Sequence, residues 1–124
     1  MPKTKYIFVV DDDPSVRISM KRLLREHGYE VRLFESAVAL LSDGKLDQAT
    51  CLVLDIDLDN HSGIALRRQL ADEGIAVPVI FITGNDSEAN RSAAVGAGCV
   101  DYLIKPFAAT SFIGSIERVC GGVV

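Results

Sequence analysis

YIFVVDDDPSVRISMKRLLREHG, residues 6–28, holds one complete structural unit and the beginning of a chemical one. Residues 6–10 are apolar without alternation, the pattern of a strand covered on both faces, as strands are in parallel sheets. Three aspartates follow, Asp11, Asp12 and Asp13, and then apolar positions recur at Val16, Met20, Leu23 and Leu24, with Arg17, Lys21, Arg22 and Arg25 on other faces. That spacing predicts an amphipathic helix with Asp13 as its N-cap, Pro14 at its first position and Gly28 at its end. The stretch is a strand, an acidic turn and a helix.

The same unit recurs outward from it. Apolar runs stand at 51–54, 77–82 and 102–104, and a weaker run at 31–34 contains Arg32 and suits a sheet edge. Helical spacing fills 37–41, 64–72 ending before Gly74, and 87–95 ending before Gly96 and Gly98. A last helix is marked by Phe112, Ile113, Ile116 and Cys120 and runs into Gly121 and Gly122. Five strand-helix units in succession predict an α/β, (βα)5 fold with right-handed crossovers, in which a five-stranded, doubly wound parallel sheet has strand order 2-1-3-4-5. Its switch point falls between strands 1 and 3, and ligands bind beyond their carboxyl ends.

At 124 residues, with 48% apolar and 24% charged residues, the chain reads as one globular domain over 1–124, with no internal linker or repeat. A net charge of −4 argues against direct nucleic-acid binding, which needs a surplus of Lys and Arg. Cys51, Cys99 and Cys120 are odd in number and widely spaced, suggesting neither a disulfide framework nor a zinc site, and fit a reducing cytoplasm. The opening MPKTKYIFVV passes too quickly into aspartates to be a signal peptide or a membrane span.

The predicted topology gathers acids. Strand 1 runs into Asp11–Asp13 and strand 3 ends at Asp55, so these carboxylates border one crevice. Two ionised carboxylates about 4 Å apart repel by about 4 kcal/mol at an effective dielectric of about 20, so the cluster needs a cation. Oxygen-only ligands suit Mg²⁺ or Mn²⁺ better than zinc. Strand 4 ends at Thr83 and strand 5 at Lys105, adding a hydroxyl and an ammonium to the same rim. A carboxylate nucleophile that forms an acyl phosphate, a divalent ion, and cationic and hydrogen-bonding groups for the phosphoryl oxygens make a set fitted to phosphoryl transfer.

These residues, in VVDDDPSVR, LVLDIDLDNHSG, VIFITG and DYLIKPF, resemble the receiver domains of two-component response regulators across essentially the whole chain. The resemblance implies a flavodoxin-like fold and a cytoplasmic signalling domain rather than an enzyme in the ordinary sense. It implies that Asp55 accepts a phosphoryl group from the phosphohistidine of a histidine kinase, or from a histidine phosphotransfer protein. Asp11, Asp12, Asp55 and the backbone carbonyl of Asp57 would hold Mg²⁺, with Thr83 and Lys105 on the phosphoryl oxygens. It further implies a cis bond before Pro106, a Thr83–Tyr102 switch, and a readout face on helix 4, strand 5 and helix 5 that could pair two copies of the chain. Asp57 and Asn85 occupy positions that influence the lifetime of the phosphoryl group. The chain departs from the family after Asp55, where Leu58 and Asp59 stand in place of a Met-Pro pair and leave an acidic loop. The run PSVRISMKRLLREHGYEVRLFESA is similar to receivers that precede LuxR-type helix-turn-helix domains, so the chain is either a stand-alone receiver or the front of a longer regulator.

Simpler readings apply residue by residue. Asp13 is a helix cap, His27 and His61 are solvated, the cysteines are small apolar fillers or surface thiols, and Gly96-Ala97-Gly98 ends a helix rather than cradling a dinucleotide. Asp55, Asp57 and Asp59 mimic the start of a calcium loop, but Asn60 and Leu66 stand where Gly and Glu belong. Asp55-Ile56-Asp57 also resembles the D-x-D of haloacid-dehalogenase-type phosphatases, the main alternative, although that motif follows a first strand in a longer chain.

Overall fold

The structure is a computed structural model that describes residues 4–43, 45–58 and 61–121. Asp59, Asn60 and Gly122, which entered the reading of the acidic loop and of the last helix, lie outside the described residues. Five strands, β1 (Tyr6–Val10), β2 (Glu30–Phe34), β3 (Ala49–Asp55), β4 (Val79–Thr83) and β5 (Asp101–Ile104), alternate with helices α1 (Pro14–Glu26), α2 (Ala37–Asp43), α3 (Gly63–Asp72), α4 (Glu88–Gly96) and α5 (Ala109–Val119). The sheet is parallel with spatial order β2-β1-β3-β4-β5, the predicted 2-1-3-4-5.

The side-chain alternation of each strand divides the core into two layers. Phe8, Leu52, Leu54 and Phe81 face α2, α3 and α4, meeting Leu40, Leu66, Leu70 and Ala94. Ile7, Val9, Val53 and Ile82 face α1 and α5, meeting Met20, Leu24, Phe112 and Ile116. This explains why the central strands read as unbroken apolar runs: both faces are dry. β2, at the edge, is only half-buried at Val31, Arg32 and Leu33, as its mixed composition suggested. Arg32 lies over the Phe8 ring and 3.4 Å from Asp43, so its apolar stem covers core while its charge stays near water.

Helix ends follow local chemistry. Asp13 caps α1 by accepting the Ser15 N–H, with Pro14 at the first turn, and Gly28 follows with φ +89°, a conformation that favours glycine. Ser62 and Ser87 cap α3 and α4.

Several details differ from the sequence expectation. β4 begins at Val79 rather than at 77, because Pro78 lacks an N–H for the ladder, though its carbonyl accepts the Leu52 N–H at 2.9 Å. A short antiparallel ribbon pairs Asp57–Leu58 with His61–Ser62 directly after β3. A single 3₁₀ turn, Leu46–Gln48, leads into β3. Neither two-residue strands nor a three-residue turn carries enough periodicity to be read in advance.

What matters for the site is register. Val10 lies opposite Leu54, Asp55 opposite Ile82, and Thr83 opposite Ile104. The residues just beyond these rows, Asp11 and Lys105, therefore emerge with Asp55 and Thr83 along one edge of the sheet.

Candidate functional site

Asp11 follows β1 and is fully buried, and its backbone N–H donates to the Phe34 carbonyl at 3.1 Å, which keeps it aligned with the sheet. Its Oδ1 accepts the Asp13 N–H at 2.9 Å and its Oδ2 accepts Lys105 Nζ at 2.8 Å. Asp55, the last residue of β3, is 3% exposed. Its Oδ1 accepts the Asp57 N–H at 2.9 Å, and its Oδ2 accepts Lys105 Nζ at 2.9 Å. One ammonium thus bridges two carboxylates from neighbouring strands.

Asp12 completes an acidic cluster in which one carboxylate oxygen each from Asp11, Asp12 and Asp55 lies within 4.8 Å of the others. Three carboxylates face one lysine, so the cluster holds surplus negative charge. An all-oxygen, carboxylate-rich donor set of this kind is capable of coordinating a hard divalent ion. Asp13 stands apart as the helix cap.

The electrostatics follow from burial. Loss of solvation raises the Asp55 pKa above its ordinary value; Lys105 and the Asp57 N–H pull it down, and the nearby Asp11 charge raises it again, the balance being upward. For Lys105, burial works to lower the pKa, but its hydrogen bonds to Asp11 and Asp55 and their charges outweigh this, and the balance is again upward. The lysine therefore stays charged throughout the neutral range.

Thr83 ends β4 and is fully buried. Its hydroxyl donates to Asp57 Oδ2 at 2.9 Å and accepts the Asn85 N–H at 2.9 Å. Asp57 is exposed, and its carboxylate is turned to Thr83 rather than joining the Asp11, Asp12 and Asp55 group. Tyr102, in β5, is half-buried, and its hydroxyl donates to Asp86 Oδ1 at 3.1 Å. Asp86 also accepts two bonds from Arg91, at 2.7 and 2.6 Å, and Arg91 is the main reason its pKa is lowered. The Lys105–Pro106 peptide is cis. Asn85 is exposed, with its carbonyl accepting Asn90 Nδ2 at 2.8 Å.

Two contributors escaped the sequence reading. Arg17 Nη1 donates to the Asp11 carbonyl at 2.6 Å, tying the acidic turn to α1. A cation in the first turn of a helix opposes the macrodipole, and that misplacement was the available signal. Gly63 packs against the backbone of β3, where a Cβ would run into the Asp55 carbonyl oxygen. A glycine opening a helix already capped by Ser62 was the corresponding hint.

The bland assignments also find their places. His27 Nδ1 lies 2.9 Å from the Leu23 carbonyl oxygen and His61 Nδ1 3.0 Å from that of Ser62, both away from the acidic cluster. Cys51 and Cys120 are buried and Cys99 is half-buried, and burial raises the thiol pKa of each. Among the described residues no helix is long and apolar enough to cross a membrane.

Comparison with known proteins agrees with this geometry. The model of the response regulator receiver domain family matches residues 7–117. The response regulator protein TmoT of Ectopseudomonas mendocina is 36% identical over 111 residues, covering 90% of this chain and 50% of that protein. Nodulation protein W of Bradyrhizobium diazoefficiens is 43% identical over 101 residues, covering 82% of this chain and 44% of that protein. The chain spans about half the length of the curated relatives it matches. Among solved structures, the crystal structure of FixJ-N aligns with a TM-score of 0.86 at 34% identity, covering 99% of this chain and 98% of that one.

Proposed function

The chain belongs to the response regulator receiver domain family, and from that premise we propose that it takes a phosphoryl group onto Asp55 from a histidine kinase or a histidine phosphotransfer protein. The observation that carries this reading is the Lys105 ammonium shared between the carboxylates of Asp11 and Asp55 at the ends of adjacent strands. The chain is a signalling module that assists its own phosphorylation, not an enzyme acting on a succession of substrates.

In the proposed step an Asp55 oxygen attacks phosphorus. The bond from phosphorus to the donor's histidine nitrogen breaks, and the nitrogen keeps the electron pair. Asp11, Asp12 and Asp55, with the backbone carbonyl of Asp57, would hold Mg²⁺, or Mn²⁺ in its place, which when bound would supply positive charge to offset that of the phosphoryl oxygens. Lys105, already beside Asp55, exchanges a carboxylate partner for a phosphoryl oxygen, and Thr83 donates its hydroxyl to another. The cis bond before Pro106 belongs to the same rim. Asp57 and Asn85, two residues beyond Asp55 and Thr83, influence how fast water removes the phosphoryl group and so its lifetime.

Signalling follows as a population shift: the phosphoryl group bonds better to the state with Thr83 drawn toward it and Tyr102 turned inward. The readout face consists of α4, β5 and α5, where the apolar side chains of Val95, Val100 and Ile104 are exposed to a partner, a second phosphorylated copy included. Intact mass measured after incubation with acetyl phosphate and Mg²⁺ tests the core of the reading. One added phosphoryl group on the wild type and none on Asp55→Ala supports it, and labelling that survives the substitution refutes it.

A further inference from the structure

A threonine has one hydroxyl proton to give, and in this chain that of Thr83 goes to Asp57. Its oxygen meanwhile accepts the Asn85 N–H, so the hydroxyl is held from both sides. Thr83 is fully buried. Asp57 is itself fixed, because its backbone N–H is bonded to the Asp55 carboxylate and its strand is paired with Ser62. A hydrogen bond to a carboxylate is stronger than one between neutral groups. We propose that Asp57 is a positioning residue for phosphoryl transfer: its carboxylate engages the Thr83 hydroxyl proton, and this bond must break before Thr83 can serve the incoming phosphoryl group.

The proposal rests on Asp55 being the phosphoacceptor, but it is distinct from simple repulsion between the Asp57 charge and phosphate. Repulsion acts whatever stands at position 83, whereas the hold on the hydroxyl acts only through it. It also predicts a particular order among substitutions. Asp57→Asn keeps an oxygen that can accept from Thr83, so it releases the threonine only in part. Asp57→Ala removes the acceptor and frees the Thr83 hydroxyl proton for an incoming phosphoryl oxygen.

The test is a double-mutant cycle on the rate of Asp55 phosphorylation by acetyl phosphate with Mg²⁺, using Asp57→Ala, Asp57→Asn, Thr83→Ala and the Asp57→Ala/Thr83→Ala pair. Asp57→Ala is expected to accelerate uptake about tenfold, Asp57→Asn less, and the pair is expected to match Thr83→Ala alone. Equal acceleration by Asp57→Ala with and without the threonine would overturn the proposal in favour of repulsion, and so would an unchanged rate. The Thr83 methyl resonance of the unphosphorylated protein gives a second readout. It should move on Asp57→Ala and largely return in Asp57→Asn, and a resonance indifferent to both also overturns the proposal. Failure of the wild type to take phosphate on Asp55 would sink the receiver reading instead, while the methyl readout still decides whether Asp57 holds Thr83.

Discussion

Lys105 and Asp55 are 50 residues apart in the chain, yet Nζ and Oδ2 lie 2.9 Å apart, because β3 and β5 flank β4 and both strands end at the same edge of the sheet. The bond neutralises part of a cluster that would otherwise repel itself, and it keeps a cation beside the proposed nucleophile before any phosphate arrives. The lysine is therefore a structural counter-ion and, in the proposed function, a partner for the incoming phosphoryl group.

Removing that counter-ion should expose the conflict. Lys105→Ala leaves Asp11 and Asp55 buried without a cation, and because the lysine side chain is 22% exposed the loss is expected to be about 2 kcal/mol, below the range for a fully buried pair. Mg²⁺ should then raise the melting temperature of the variant more than that of the wild type, since the ion meets more uncompensated charge. A thermal melt with and without Mg²⁺ measures both effects, and equal Mg²⁺ responses would contradict the counter-ion role.

Asp55→Asn should stabilise the protein at neutral pH while abolishing phosphorylation. The folded-state pKa of Asp55 lies above its ordinary 3.8. Its contribution to stability is therefore full below about pH 4 and is lost as pH rises through the raised folded value. The variant's advantage should grow from acid toward neutral pH and reach about 1 kcal/mol, or about 4 °C in melting temperature. Urea denaturation at pH 4 and pH 7 checks the sign.

Gly63→Ala places a methyl group against the Asp55 carbonyl oxygen, which can move only by shifting the end of β3. Destabilisation of about 2 kcal/mol is expected, together with slower phosphorylation because the acceptor residue is displaced. Ala at Gly114, where a Cβ meets only the end of Arg118 at 3.8 Å, serves as the control and should be far milder.

Arg17→Met should weaken divalent-ion binding without removing a carboxylate. It breaks the 2.6 Å bond to the Asp11 carbonyl and loosens the turn carrying Asp11 and Asp12. A severalfold rise in the Mg²⁺ dissociation constant is the expected outcome, in line with the effect of losing a group that orients metal ligands. Titration of Mg²⁺ against melting temperature measures it.

Most of this site was legible in advance because strand ends are where the physics is simplest. A dry parallel strand has to be apolar, so the first charged residue after it marks both the end of the strand and the rim of the crevice; Asp11, Asp55 and Lys105 were found in this way. What escaped depended on side-chain reach or on close approach. Arg17 crosses a helical turn to a backbone carbonyl, Gly63 is required by a neighbour on another element, and Asp86 reaches Tyr102 from a loop. The Thr83–Asp57 bond was equally hidden, since it depends on where the ribbon after β3 turns the Asp57 carboxylate.

β5 lies at the outer margin of the sheet, paired on one side only, and its residues are no more than half-buried. It also delivers Lys105. Transient fraying of this last strand would withdraw the lysine without disturbing the apolar layers around β1 and β3, leaving molecules that are folded by most measures but chemically silent. Amide exchange in residues 101–105 should therefore report the responsive fraction of the population more faithfully than global melting does.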